Sequence, residues 1–188
     1  MNAWDAPPLS PAQQRLSDLW EEHMRYEFET KDTERTLATM VEDASVNHVP
    51  VLTGGWGQAA LRAFYSKHFI PRMPPDMEIV PISRTIGTDQ LVDEMVLRFT
   101  HTVPMDWALP GVAPTGKRAE VALIAVVQFR GEKLAQERIY WDQASLLVQL
   151  GLLEPAGLPV AGPESARKVL DRTLPSNMLI DRASRSVG

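Results

Sequence analysis

The chain has 188 residues, of which 44% are apolar and 23% are charged, a composition typical of a single globular domain. Its formal net charge is −5 without a basic block, which argues against nucleic acid as the main partner. The absence of Cys excludes disulfides and thiolate metal sites, and the apolar run at 121–127 is far shorter than the roughly 20 residues that cross a bilayer.

Three helices are predicted in the first part of the chain. Ser10, Pro11 and Gln13 form an N-terminal capping pattern, and the helix that follows carries an apolar stripe with one discordant acid, Glu27. Asp32 is predicted to cap a second, shorter helix, and a third ends at the proline-rich segment 71–75. The stripes comprise Leu16, Leu19, Trp20, His23 and Tyr26 in the first helix, Leu37, Met40 and Val41 in the second, and Leu61, Phe64, Tyr65, His68 and Phe69 in the third.

The apolar period changes to two from residue 77 onward, which indicates β-strands. Strands are predicted at 77–86, 90–103, 117–129 and 134–142. A hairpin turn at 87–89, a loop at 104–116 and a turn at 130–133 connect them. Before the third helix, a short extended segment at 44–51 leads into a turn at 53–55.

This order of elements predicts an α+β fold. N-terminal helices would pack on a strongly curved, mostly antiparallel sheet to form a conical barrel with a pocket inside. We divide the chain into an N-terminal extension (1–11), a domain (12–153) and a C-terminal tail (154–188) rich in Pro, Gly and Arg. A short helix is predicted at 164–170 within the tail.

Asp142 stands where the last strand changes into a helical segment, directly after two aromatic residues. It suits the N-cap of that helix, and the residues alone favour this interpretation. It also suits an acid–base role beside Tyr140, which lies on the same face of the strand. Burial would raise the pKa of the Asp142 carboxyl towards the range that is useful at neutral pH.

Other polar residues have both a functional and a structural interpretation. His101 shares a strand face with Phe99 and is either a base or donor to a substrate carbonyl, or a half-buried strand residue; His48 is similar. Arg84 would pair with a buried carboxylate or a substrate anion, and Glu94 lies on the opposite strand face from His101. No metal is predicted, because no His and carboxylate have a spacing like that of His-x-x-x-His.

The loop at 104–116 is unusually apolar, since it carries Met105, Trp107, Leu109 and Val112. Three explanations stay open: the loop covers the mouth of a pocket, contacts a second subunit, or packs on its own domain.

The closing stretch "WDQASLLVQLG" and the stretch "LRAFYSKHFIPRMPPDMEI" resemble the SnoaL-like polyketide cyclases of the nuclear transport factor 2-like superfamily. The resemblance spans about 12–153, and its most specific positions are Asp142, Leu146, Leu147, Gln149, Leu150 and Gly151. It implies a conical α+β barrel that usually forms a homodimer through the sheet. In these cyclases an Asp matching Asp142 is the general acid/base of an intramolecular aldol ring closure that needs no metal or organic cofactor.

We therefore expect a cytoplasmic, cofactor-independent enzyme of the cyclase or isomerase type, acting on an apolar carbonyl or enol compound in a pocket that contains Asp142. His101 and Tyr140 would assist Asp142, and the expected substrate-binding residues are Arg84, Glu94, His48, Trp107, Phe99 and Tyr65. One alternative is a non-catalytic ligand-binding or scaffold dimer. Another is an epoxide hydrolase in which Asp142 activates water beside Arg84. The expected partners are a hydrophobic small molecule and a second copy of the chain, because strands such as "VALIAVV" are apolar on both faces; neither nucleic acid nor a membrane is expected.

Overall fold

The computed structural model describes residues 8–186 and shows an α+β fold built on one six-stranded sheet. The helices are α1 (Pro11–Met24), α2 (Thr33–Ala38), α3 (Gly57–Phe64), α4 (Gln143–Gln149), α5 (Glu164–Leu170) and α6 (Met178–Ser186). The strands are β1 (Met40–His48), β2 (Thr53–Trp56), β3 (Glu78–Ile86), β4 (Gln90–Thr100), β5 (Arg118–Arg130) and β6 (Lys133–Trp141). None of the described helices is long and apolar enough to span a membrane.

The sheet has the order β2-β1-β6-β5-β4-β3 and is antiparallel except where β1 runs parallel to β6. Register shifts interrupt three of its strand pairs. Because such irregularities bend and twist strands, the sheet curls around the helices without closing. The predicted conical α+β architecture is thereby confirmed.

Local signals set the start of α1. The Ser10 hydroxyl accepts the backbone N–H of Gln13, the Gln13 side chain accepts the backbone N–H of Ser10, and Pro11 occupies the first helical position. The helix runs on into a π-helical turn at Arg25–Glu29. A second π-helical turn, Tyr65–Phe69, follows α3.

Two predictions near the N-terminal half of the sheet are wrong. Met40 and Val41 belong to β1 rather than to α2, and residues 53–55 form part of β2 rather than a turn. In both cases strand pairing decides the outcome, since Met40 pairs with Leu134 of the distant strand β6 and Gly54 pairs with Asn47 of the preceding strand β1.

The C-terminal segment folds back onto the sheet. α5 coincides with the helix predicted at 164–170, and it contacts β5, where Arg167 forms an ion pair of 2.7 Å with Glu120. Sequence analysis did not predict α6.

Candidate active site

A narrow cavity of about 50 Å³ lies between the concave face of the sheet and the N-terminal helices. Its walls are mainly apolar and include Leu97, Leu123 and Ile139 of the sheet. Both π-helical turns also contribute to the walls, the first through Glu27 and Phe28 and the second through Tyr65 and Phe69. Because apolar pockets with a few converging polar groups and π-helical turns are both common at functional sites, we take this cavity as the candidate site.

Three ionisable side chains meet at the wall of this cavity. His23 of α1 places its Nε2 atom 3.0 Å from Oε1 of Glu27 and 3.1 Å from Oε1 of Glu137, which projects from β6. All three residues are buried. The contact with Glu27 has hydrogen-bond geometry, whereas Oε1 of Glu137 has no hydrogen-bond partner among the described residues.

Thr39 fixes the orientation of the His23 ring. The Thr39 hydroxyl donates to the backbone carbonyl of Thr36 over 2.6 Å, so its oxygen is free to accept the Nδ1–H of His23, also over 2.6 Å. Nε2 is therefore the ring nitrogen that faces the two glutamates.

The cluster holds protons more tightly than isolated side chains would. Burial alone would lower the pKa of His23, but the charges of Glu137 and Glu27, whose oxygens contact its Nε2 atom, outweigh burial and raise this pKa to about 10. Burial also raises the pKa of Glu137, a shift that the charge of His23 partly opposes. A carboxyl with a raised pKa next to a protonated imidazole is suited to take up and return a proton near neutral pH.

Three of the predicted substrate-binding residues line the cavity: His48, Tyr65 and Trp107. Burial lowers the pKa of His48 to about 4, so its imidazole is neutral at pH 7. Burial, followed by the charges of Glu137 and Glu27, raises the pKa of Tyr65 well above its ordinary value, so its hydroxyl remains a donor.

Asp142 does not face the cavity, and the expectation of a pocket containing Asp142 is wrong. The residue is exposed and forms the N-cap of α4, where its Oδ1 accepts the backbone N–H of Ser145 over 3.0 Å. The face of β6 that points into the cavity is the one that carries Glu137 and Ile139, both of which are buried. Tyr140 points outward and is 41% exposed, so it does not assist in the cavity either.

His101 and Phe99 are buried but do not line the cavity. The Nδ1 atom of His101 accepts the backbone N–H of Thr115 over 3.3 Å, which ties the end of β4 to the loop before β5. Phe99 packs in the hydrophobic core. Their predicted roles in catalysis and substrate binding therefore have no support in their positions.

Arg84 and Glu94 also lie away from the cavity. Arg84 donates to both carboxylate oxygens of Asp93, over 3.1 and 3.0 Å, and to Glu21 over 2.9 Å. Glu94 accepts a hydrogen bond of 2.8 Å from Ser83. Among the described residues no ion pair joins Arg84 to Asp142, so the epoxide hydrolase arrangement expected for that pair is not formed.

The apolar loop at 104–116 borders the cavity through Trp107, which is 4% exposed. Its backbone is held from two sides: the Thr53 hydroxyl donates to the carbonyl of Trp107 over 2.6 Å, and the Gln143 side chain donates to the carbonyl of Ala108 over 3.1 Å. Leu109 is buried as well. The loop thus borders the pocket through Trp107 and also packs on its own domain, since Met105 and Leu109 belong to the hydrophobic core. Its contact with a second subunit stays a prediction.

Sequence reasoning missed the central cluster, although a signal for it was present. Glu27 stood out as the one acid on an otherwise apolar helical stripe that also contains His23. Glu137 was not singled out in the sequence. A buried acid needs a partner, and Glu27 finds it in His23 on the same stripe. The second acid that contacts His23, Glu137, is 114 residues away on β6.

The same three side chains satisfy the distance requirement for a metal site, with one possible ligand atom from each within 4.8 Å of the others. Sequence analysis overlooked that His23 and Glu27 have the spacing His-x-x-x-Glu, and Glu137 is remote from both in sequence. A cation bound by these atoms and a proton on Nε2 of His23 would exclude each other, because both need the position between the two carboxylates.

The cavity adjoins an open groove on the surface between α1 and the strands β3 and β4. Three side chains line both spaces: Met24, Phe28 and Met95. Met24 and Phe28 are half-buried, so rotation of their side chains would join the groove to the cavity. This is the most direct route by which a ligand would enter.

Comparison with known proteins identifies relatives of this architecture. The family model of the SnoaL-like polyketide cyclases matches residues 12–150. A protein from Jannaschia sp. CCS1, assigned as a SnoaL-like polyketide cyclase, aligns with a TM-score of 0.60 at 17% identity over 79% of this chain and 100% of that chain. A protein with a ketosteroid isomerase-like fold from Catenulispora acidiphila aligns with a TM-score of 0.55 at 13% identity, over 72% of this chain and 94% of that chain. The epoxide hydrolase/cyclase-like enzyme SalBIII, which acts in pyran ring formation in salinomycin, aligns with a TM-score of 0.52 at 15% identity, over 71% of this chain and 95% of that chain. No curated protein matches the chain.

Proposed function

The chain belongs to the SnoaL-like polyketide cyclase family, and we propose that it is a cofactor-independent enzyme that transfers protons on an apolar carbonyl or enol substrate. The reaction takes place in the cavity next to His23, Glu27 and Glu137. The family resemblance implied an acid–base role for Asp142. We assign this role to Glu137 instead, because Glu137 and not Asp142 faces the cavity.

One observation carries the proposal: a buried carboxyl group lines an apolar cavity beside a protonated His. Oε1 of Glu137 makes no contact of regular hydrogen-bond geometry, but it forms an ion pair of 3.1 Å with Nε2 of His23. Burial without a metal or an Arg partner is costly for a carboxylate, and such arrangements are concentrated at sites that transfer protons.

The proposed step begins with the ionised Glu137. One of its carboxylate oxygens removes a proton from the carbon next to a substrate carbonyl. The electron pair of the broken C–H bond forms a C=C bond, and the π electrons of the carbonyl move to its oxygen, which gives an enolate. In a cyclisation, the enolate carbon then bonds to a second carbonyl of the same molecule, and Glu137 returns the proton to the new alkoxide. In an isomerisation, the proton returns to a different carbon.

The other two members of the cluster tune Glu137. The positive charge of His23 keeps the carboxylate form accessible despite burial, while burial keeps it more basic than a surface carboxylate. The hydrogen bonds that His23 makes to Thr39 and Glu27 prevent its ring from turning away. His23 and Glu27 are thus positioning residues for Glu137.

Proton exchange tests this function without knowledge of the natural substrate. The purified protein is incubated in D₂O with a panel of apolar aryl ketones, and loss of the α-proton signal is followed by NMR. We expect Glu137→Gln to slow the catalysed exchange by roughly 10²–10⁴-fold, the usual contribution of a general acid–base group. Asp142→Asn is the matched control and should leave exchange unchanged.

Two outcomes would contradict the proposal. If Glu137→Gln exchanged the proton as fast as the unchanged protein, Glu137 would not be the base. If the unchanged protein accelerated exchange with none of the ketones but still bound them, the alternative of a non-catalytic ligand-binding protein would be favoured. Repeating the assay after treatment with a chelator addresses the metal-like geometry of the cluster, and the exchange rate should not change.

A further inference from the structure

Buried polar atoms without partners are concentrated at the candidate site. Among the described residues, the buried side-chain atoms that lack a hydrogen bond are His48 Nδ1, Tyr65 Oη, His101 Nε2, Trp107 Nε1 and Glu137 Oε1. All except His101 belong to residues that line the one cavity. Such an atom is costly when it stays unpaired, and native proteins pair nearly all of them. Four in one place indicate an occupant with polar atoms of its own.

These four atoms fall into two groups along the cavity. Glu137 and Tyr65 lie at the end that contains His23, whose ring centroid is 6.3 Å from that of Tyr65. His48 and Trp107 lie together at the other end, with ring centroids 5.6 Å apart. The rings of Phe64 and Phe69 connect the two ends, because each packs against both Tyr65 and His48.

The strand register gives the separation of the two ends. Val46 of β1 is paired with Glu137 of β6, and His48 is paired with Ile139. His48 therefore stands two residues further along the sheet than Glu137 and on the same face. At about 3.3 Å per residue along a strand and about 4.8 Å between neighbouring strands, the two Cα atoms are about 8 Å apart.

We propose that His48 and Trp107 form a second polar subsite that binds an oxygen of the substrate at the end of the cavity away from Glu137. Trp107 Nε1 is a donor only, whereas a neutral His48 offers one N–H and one lone pair. Together they are suited to a hydroxyl or carbonyl oxygen. Phe64 and Phe69 contact the apolar part of the bound molecule between the two polar ends.

The position of Trp107 supports a binding role. The hydrogen bonds from Thr53 and Gln143 to its loop hold the indole in place before any ligand arrives, which lowers the entropic cost of binding. The subsite deepens the proposed function, because it sets which substrates Glu137 can reach. Its test nevertheless measures binding alone.

A pair of probes isolates the second oxygen. 2-Naphthol and 2,6-dihydroxynaphthalene share a ring system, but only the second carries hydroxyls at opposite ends. Isothermal titration should show that the unchanged protein binds the diol about 10-fold more tightly, which corresponds to one additional hydrogen bond. Trp107→Phe and His48→Phe should each remove most of this preference while they leave the affinity for 2-naphthol within about twofold.

Trp56→Phe is the matched control, since Trp56 is 76% exposed and does not line the cavity. This variant should keep the diol preference. Glu137→Gln should also keep it even when proton exchange is lost, which separates failure of the subsite from failure of the proposed function. The indole N–H resonance of Trp107 in the unchanged protein gives a readout that needs no variant, because it should shift with the diol and much less with 2-naphthol.

Three results would overturn the subsite. They are equal affinity of the unchanged protein for the two probes, an equal loss of affinity for both probes in Trp107→Phe, and no binding of either probe at millimolar concentration. The last result would mean that ordered water alone satisfies the four polar atoms.

Discussion

Two acids that are close in sequence, Glu137 in β6 and Asp142 just after it, lie in opposite environments. Glu137 is 3% exposed and faces the cavity, whereas Asp142 lies just past the end of β6 in contact with solvent and caps α4. Burial raises the pKa of Glu137.

Substitution of Asp142 should affect the stability of the protein rather than its chemistry. Asp142→Ala removes the hydrogen bond to the backbone of Ser145 and should lower the free energy of unfolding by about 1 kcal/mol, the usual value of an N-cap. Asp142→Asn should be nearly neutral because Asn caps as well as Asp. Urea denaturation of both variants measures this, and equal destabilisation by Asn and Ala would show that the cap is not what Asp142 contributes.

The stability of the protein should fall as the pH rises from 7 to 10. The pKa of His23 is about 10 in the folded protein against 6.5 ordinarily, so the folded state binds this proton more tightly. The resulting stabilisation is fully present below about pH 6.5 and is lost as the pH rises through 10. The raised pKa of Glu137 likewise makes stability fall as the pH rises.

Urea denaturation at several pH values measures this slope. His23→Gln should lower stability at pH 7 and make the dependence between pH 7 and 10 shallower. A variant with an unchanged slope would contradict the raised pKa of His23.

At the scale of the elements, a polar network fixes α1 against the sheet. Asp93 of β4 accepts two hydrogen bonds from Arg84 of β3 and one of 2.7 Å from the indole of Trp20 on α1. Arg84 also donates to Ser17 of α1 over 2.9 Å. Because α1 carries His23 and continues into the π-helical turn that contains Glu27, this network fixes the position of the cluster relative to the sheet.

Arg84→Met should therefore destabilise the protein, since it leaves the buried carboxylate of Asp93 with Trp20 alone. We expect a loss of roughly 1–3 kcal/mol. Glu21→Gln is the control, because Glu21 is another partner of Arg84 but its side chain is 65% exposed, and it should cost less than about 1 kcal/mol. Thermal and urea unfolding give both values, and equal effects of the two substitutions would refute the role of Asp93.

At the scale of the whole molecule, the convex face of the sheet retains apolar residues after the concave face has been covered. Ile124 and Tyr140 are paired across β5 and β6 on this face, and each is 41% exposed. A surface of this kind is suited to contact its own copy around a two-fold axis. We propose that the protein is a homodimer through this face.

Sedimentation velocity tests the homodimer. The unchanged protein should sediment as a dimer at micromolar concentration, and Ile124→Glu should shift it towards the monomer because it places a charge in the contact. Leu52→Glu is the control, as Leu52 is 82% exposed but lies in the connection between β1 and β2. A monomeric unchanged protein would refute the proposal.

Much of the fold could be predicted because its signals are local. The capping pattern at Ser10 marked the start of α1, the change of period at residue 77 marked the meander, and the sequence after Asp142 marked the start of α4. The α+β class followed from the order of these elements. The assignment of Met40 and Val41 to a helix was wrong because strand pairing with β6 overrode their helical spacing.

The sequence alone determined which residues alternate along each strand, but only the tertiary structure decided which of the two sets faces the helices. Tyr140 and Glu137 belong to opposite faces of β6, and period two is equally compatible with either face inside. The choice depends on the curl of the sheet and on where α1 packs, which are long-range properties. For the same reason Glu137 could not be connected with His23 and Glu27 until β6 and α1 were placed in contact.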